Sequence, residues 1–212
     1  MRSVPGPPLP LSFTFDCDGT LVDSEAIHAR AVIAAYRAHG VEESYFTGFA
    51  ARFMGHTLDY IHPLVMKETG LAAAREDISR HIHAHTRQEL AAGAVPASPG
   101  CHAALAALEH RGPMAVASNG HREVVLKSLR DAGFSPWFSP GRVFTKCQVS
   151  RPKPFPDLYL LAASTLEASP ARCIVIEDSA AGVTAGKAAG MTVLGYTGLA
   201  LIADAAAHLK QA

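Results

Sequence analysis

The sequence is poor in cysteine. Its four cysteines (Cys17, Cys101, Cys147, Cys173) are scattered, with no C-x-x-C pair. This argues against a disulfide framework, and reduced thiols in a cytoplasmic protein are the simplest reading. Neither sign of charge is in excess: 19 Lys and Arg face 19 Asp and Glu. No basic field points to nucleic acid, and no acidic tail points to a solvating segment. There is no apolar run long enough to span a bilayer and no internal repeat, so neither a membrane nor a repeat architecture is expected. Residues 1–10 are rich in proline but lack an apolar signal core, which reads as a flexible tail rather than a targeting peptide. The chain of 212 residues is 49% hydrophobic and 18% charged. That suffices for one good core, or a core plus a small insert.

Residues 11–15 read as a buried strand. A helix follows, with Ser24 as its N-cap and Gly40 at its end; Ala26, Ile27, Ala31, Val32, Ala34 and Ala35 share one face. Helical spacing recurs over residues 58–69 and 75–90, and no strand pattern appears between Leu21 and Val95. After residues 94–100, which are rich in Pro and Ala, the rhythm changes. Helices over 101–110, 123–132, 156–166 and 180–189 alternate with short apolar strands at 114–117, 143–145, 173–176 and 192–194. This alternation predicts an α/β fold, a doubly wound parallel sheet. The helical block reads as an inserted second domain. The expected division is residues 1–22 and 97–212 for the core and 23–96 for the insert.

Phe15-Asp16-Cys17-Asp18-Gly19-Thr20 carries the chemistry. Side chains alternate on an extended strand, so Asp16 and Asp18 are expected on one side and Cys17 in the core. Two close carboxylates repel unless a cation or a shared proton holds them. Gly19 permits a tight turn, and Thr20 offers a hydroxyl and an N–H to an anion. Ser118-Asn119 and Glu177-Asp178 follow two further strand runs, and ligands of open α/β sheets bind at the carboxyl ends of strands. A fourth element, Arg151-Pro152-Lys153-Pro154, has a loop stiffened by proline. Four acids then meet one lysine. A hard divalent cation relieves that repulsion, and Mg²⁺ is the usual choice where phosphate also coordinates. Lys153, Ser118 and backbone N–H groups can hold phosphate oxygens, leaving one aspartate to attack phosphorus and one to shuttle a proton.

These four elements resemble, in order, the four motifs of the haloacid dehalogenase superfamily of phosphotransferases. The helical block resembles the small cap of its β-phosphoglucomutase and phosphoglycolate-phosphatase-like branch. The resemblance implies a Rossmann-like core with a cap, and an Mg²⁺-dependent phosphatase acting on a small phosphate monoester, a sugar or organic-acid phosphate. It implies Asp16 as nucleophile and Asp18 as general acid and base. Mg²⁺ would be held by Asp16, the backbone carbonyl of Asp18, Asp178, and Glu177 directly or through water. Ser118 and Lys153 would bind phosphate, with Gly19, Thr20 and Asn119 adding contacts. His28 lies where this branch often aims a polar cap residue at the substrate. A monomer is expected.

An acid at Asp18 separates the chain from true dehalogenases, which lack one there. The alternative within the branch is a β-phosphoglucomutase-type phosphotransferase. That pattern supplies an arginine shortly after a cap-loop glycine, whereas Gly55-His56-Thr57-Leu58 carries Leu58 at that point. Arg52, Gly55 and His56 fall in the segment resembling the specificity loop. His81, His83 and His85 include an i,i+4 pair but no third ligand, so a solvated helix face is the expectation.

Overall fold

A computed structural model describes residues 11–53 and 58–196. They form two compact units, one of residues 11–23 with 94–196 and the other Ser24–Gly93. The first holds five parallel strands: β1 (Ser12–Phe15), β2 (Met114–Ser118), β3 (Val143–Thr145), β4 (Cys173–Glu177) and β5 (Thr192–Gly195), in the order β3-β2-β1-β4-β5. β1 and β2 are buried at every position. A strand covered on both faces is buried along its whole length, and in β1 this includes the small polar residues Ser12 and Thr14.

The remaining helices are numbered in chain order with those of the second unit: α1 (Glu25–Ala38), α2 (Phe49–Phe53), α3 (Leu58–Thr69), α4 (Arg75–Ala92), α5 (Cys101–Leu108), α6 (Arg122–Asp131), α7 (Asp157–Thr165) and α8 (Ala180–Ala188). In the sheet unit, Leu158, Tyr159, Ala162 and Ala163 of α7 pack with Ala115, Ala117, Phe144 and Val175 of the sheet. The alanines keep the backbones close. Gly112, just before β2, is another close approach: a Cβ there would lie 1.6 Å from the Leu11 carbonyl oxygen.

The helical unit buries Ala31, Val32, Ala35 and Tyr36 of α1 against Ile61 and Val65 of α3 and Ile78 and Ile82 of α4. Arg30 on α1 donates through Nε (2.9 Å) to Glu89 on α4. Two short elements escaped the sequence reading, a 3-10 turn at Glu43–Phe46 and α2. Each is too short to express a helical period. Their order comes from packing among Tyr45, Phe46, Phe49 and Phe53. Ser24 occupies the N-cap position of α1, but its hydroxyl makes no capping bond. Among the described residues, no helix is long and apolar enough to cross a membrane.

Candidate active site

The strand order puts β1 between β2 and β4, and the chain departs from β1 to either side. Phe15 is in register with Val116 and Ile176. Asp16, the first residue past β1, therefore emerges beside Ser118 and Glu177, the last residues of β2 and β4. The Asp16 N–H still donates to the Ile176 carbonyl (2.9 Å), carrying the sheet one residue further.

Lys153 reaches this edge from the loop before α7. Its Nζ donates to Asp16 Oδ1 and to Glu177 Oε1, both at 2.6 Å. Glu177 is wholly buried, and its carboxylate is fully occupied. Oε1 also accepts from the Tyr159 hydroxyl (3.0 Å), while Oε2 accepts from the Ser179 N–H and hydroxyl, both at 2.8 Å. Ser179 Oγ in turn accepts from the Gly182 N–H (3.0 Å) and so caps α8. A Cβ on Gly182 would lie 1.6 Å from Glu177 Oε1, so only glycine leaves room for the acid.

The two aspartates of the first motif have different partners. Asp16 faces Lys153, while Asp18 Oδ2 receives a long bond (3.4 Å) from the Ser118 hydroxyl, which itself accepts from the Gly120 N–H (2.9 Å). Cys17 between them is fully buried. Asn119 pairs reciprocally with the Lys153 backbone: Nδ2 donates to its carbonyl (2.9 Å) and Oδ1 accepts its N–H (3.0 Å). Thr20 donates its hydroxyl to Asp178 Oδ1 (3.0 Å). Gly19 takes φ +84°, donates its N–H to the Val22 carbonyl (2.9 Å), and would place a Cβ 2.2 Å from Asp178 Oδ2. In this structure, then, the Asn119 side chain, the Thr20 hydroxyl and the Gly19 N–H are engaged within the protein. The sequence offered them to a phosphate.

Burial governs the electrostatics. It pushes the Asp16 carboxyl up to about 8; Lys153 opposes this, and Glu177, Asp18 and Asp178 add to it. Burial also raises Asp18, against the Ser118 hydrogen bond and Lys153. Asp178 is raised by burial against the Thr20 bond. For Lys153, burial works against the ammonium, but Asp16, Tyr159 and Glu177 outweigh it and hold the group above its ordinary range. One cation is shared among four acids, and the three aspartates are all raised above their ordinary range.

Carboxylate oxygens of Asp16, Glu177 and Asp178 lie within 4.8 Å of one another, the one such acid or histidine group among the described residues. The donors are all oxygen and all anionic, which suits a hard divalent cation. The Asp18 carboxylate stands outside this group. His81 instead packs edge-on against His39, with ring centroids 4.8 Å apart, and His85 Nε2 lies 3.1 Å from Glu89 Oε1. His28 is exposed on α1. Arg52 sits in α2 rather than in a loop and makes a two-pronged pair with Glu68, which also accepts from the Tyr45 hydroxyl (2.7 Å). Gly55 and His56 lie outside the described residues. Tyr159 and Ser179 were not singled out in sequence: Tyr159 sits among apolar neighbours on α7, and Ser179 resembles an ordinary cap.

The family model of the haloacid dehalogenase-like hydrolases matches residues 12–190. The chain is 34% identical over 179 residues to the 6-phosphogluconate phosphatase of Escherichia coli (strain K12), covering 84% of this chain and 79% of that protein. It is 36% identical over 183 residues to hexitol phosphatase A of the same organism, covering 86% and 81%. Among solved structures, a conserved haloacid dehalogenase-like protein of unknown function from Agrobacterium tumefaciens str. C58 aligns with a TM-score of 0.75 at 27% identity, covering 94% of this chain and 97% of that one.

Proposed function

We propose, from the premise that this chain belongs to the haloacid dehalogenase-like hydrolase family, that it is a phosphatase for small phosphorylated carbohydrates or sugar acids. The observation that carries this reading is the Asp16–Lys153–Glu177 cluster, where a buried nucleophile, a fixed ammonium and surplus acid meet at the strand ends. The phosphatase activities named for the two Escherichia coli relatives support the substrate class.

Asp16 and Asp178 are the residues that would hold Mg²⁺, with the Asp18 backbone carbonyl. Glu177 would join them on giving up one of its four bonds. When bound, the cation neutralises the acids and draws charge from the phosphoryl oxygens. The chain does the rest. Lys153 and Ser118 bind phosphoryl oxygens. A carboxylate oxygen of Asp16 attacks phosphorus as the bond to the leaving oxygen breaks, and the Asp18 carboxyl, which burial pushes above its ordinary range, gives a proton to that oxygen. Asp18, now a carboxylate, takes a proton from water. The water oxygen attacks phosphorus, the Asp16–phosphorus bond breaks, and inorganic phosphate leaves with Asp16 restored. Asn119 holds the Lys153 loop in place throughout.

Substrate choice is assigned to the helical unit, where two features weigh against the mutase reading. Leu58 cannot replace a guanidinium fork, and Arg52 is already committed to Glu68. Free thiols at all four cysteines fit a cytoplasmic protein, and we infer a monomer. The test is a panel of sugar and sugar-acid phosphates assayed with Mg²⁺ and with chelator. Release of inorganic phosphate that needs Mg²⁺ is expected. Isomerisation of β-glucose 1-phosphate to glucose 6-phosphate, with little free phosphate, would favour the mutase.

A further inference from the structure

We propose that Tyr159 is a positioning residue for the phosphate-binding ammonium, acting on Lys153 through their shared carboxylate oxygen, Glu177 Oε1. The inference rests on the reading of Lys153 given above. Tyr159 is fully buried in α7, six residues after Lys153, and makes two contacts with this cluster. Its hydroxyl donates to Oε1 at 3.0 Å, the same oxygen that takes the lysine at 2.6 Å. Its ring lies beneath the ammonium, with Nζ 4.9 Å from the centroid.

The two contacts have a joint effect. Lys153 is drawn both ways, toward Asp16 at the open edge and toward Glu177 behind it, at equal distances of 2.6 Å. A hydroxyl on Oε1 drains charge from that oxygen and weakens its hold on the lysine. The ring packs against the ammonium without offering a competing anion. The ammonium is thus kept shared with the Asp16 carboxylate rather than drawn onto Glu177 alone. Without the hydroxyl, Oε1 has the lysine alone, and the pair tightens away from the reacting atoms. A phenylalanine would fill the same space and keep the ring contact, so packing alone does not account for a tyrosine here.

The experiment compares wild type, Tyr159→Phe, Lys153→Arg and the double variant. Each is measured for kcat, KM, affinity for inorganic phosphate by calorimetry with Mg²⁺ present, and Tm. Tyr159→Phe should stay folded with a Tm lowered by the loss of one buried hydrogen bond, lose about tenfold in phosphate affinity and lose a similar factor in kcat, the order expected for one hydrogen bond to a charged group. In the Lys153→Arg background the same change should cost under about twofold, because contacts that act through one another are not additive. Unaltered phosphate affinity and kcat in folded Tyr159→Phe overturns the proposal, as does a tenfold loss that persists without the lysine. Should Tyr159→Phe not fold, 3-fluorotyrosine at position 159 supplies a stronger donor of nearly the same shape. Phosphate affinity should then rise, and a fall would count against the role. A wild-type protein that neither binds phosphate nor hydrolyses any ester refutes the reading of the site itself, separately from Tyr159.

Discussion

Asp16 and Asp18 are two residues apart and of the same type, yet their neighbours give them different work. Asp16 is 8% exposed and bonded to an ammonium, the setting proposed for the nucleophile. Asp18 meets a hydroxyl instead, as proposed for the general acid, and burial raises both carboxyls. Asp16→Asn should abolish steady-state turnover, because an amide does not form the acyl phosphate. Asp18→Asn should cost about 10²–10⁴-fold in kcat, the usual worth of a general acid or base. Steady-state kinetics on purified variants of unchanged Tm decide both; turnover within tenfold of wild type for Asp16→Asn would remove it from the nucleophile's place. Asp16, Asp18, Lys153 and Asp178 could be singled out in sequence because each stands after a strand run or in a proline-framed loop, in an order that resembles the four family motifs. The partnerships of Asn119 with the Lys153 backbone and of Thr20 with Asp178 were not legible. They join residues 34 and 158 positions apart, and hydrogen-bonding side chains at such distances choose partners only once the sheet is assembled.

At the level of elements, the loop after β4 and the first turn of α8 act as one piece. Ser179 caps the helix and holds Glu177, and Gly182 leaves the space that Glu177 fills. Gly182→Ala should therefore displace Glu177, costing about 1–3 kcal/mol in stability, as overpacking does elsewhere. It should also lower kcat by loosening Lys153. Denaturant titration and kinetics on the same variant check this, and an alanine protein of wild-type stability and rate would contradict the packing described here. The strands of the sheet were legible because short runs rich in apolar residues alternate with helices, even though β1 carries Ser12 and Thr14 and β5 is not fully buried. The 3-10 turn at Glu43–Phe46 and helix α2 were not, since aromatic packing rather than periodicity organises them.

At the scale of the whole molecule, the site is a store of unfavourable charge. A carboxyl whose folded value lies above its unfolded one favours the protonated fold. Asp16 therefore contributes stability below its unfolded value of 3.8, and that contribution is lost as pH rises toward about 8. Asp18 and Asp178 shift in the same direction. Metal-free wild type should lose more Tm between about pH 5 and pH 8 than metal-free Asp16→Asn, which carries no charge at that position. Added Mg²⁺ should raise the wild-type Tm more at the higher pH, where protons no longer compete for the carboxylates. Calorimetric scans of both proteins in chelator and in Mg²⁺ provide the comparison. Parallel pH profiles for the two metal-free proteins would deny Asp16 its raised value.

Phosphate is proposed to pass through Asp16, and trapping the Asp16–phosphorus bond is the decisive test. Wild-type protein mixed with Mg²⁺ and a phosphorylated sugar or sugar acid that it hydrolyses is quenched in acid within one turnover, digested, and its peptides are mapped by mass spectrometry. A phosphoryl group is expected on the peptide spanning Asp16, located at Asp16, absent with chelator and absent from Asp16→Asn. Rapid hydrolysis with no phosphorylated peptide at any quench time, or with the phosphoryl group on another residue, would contradict it.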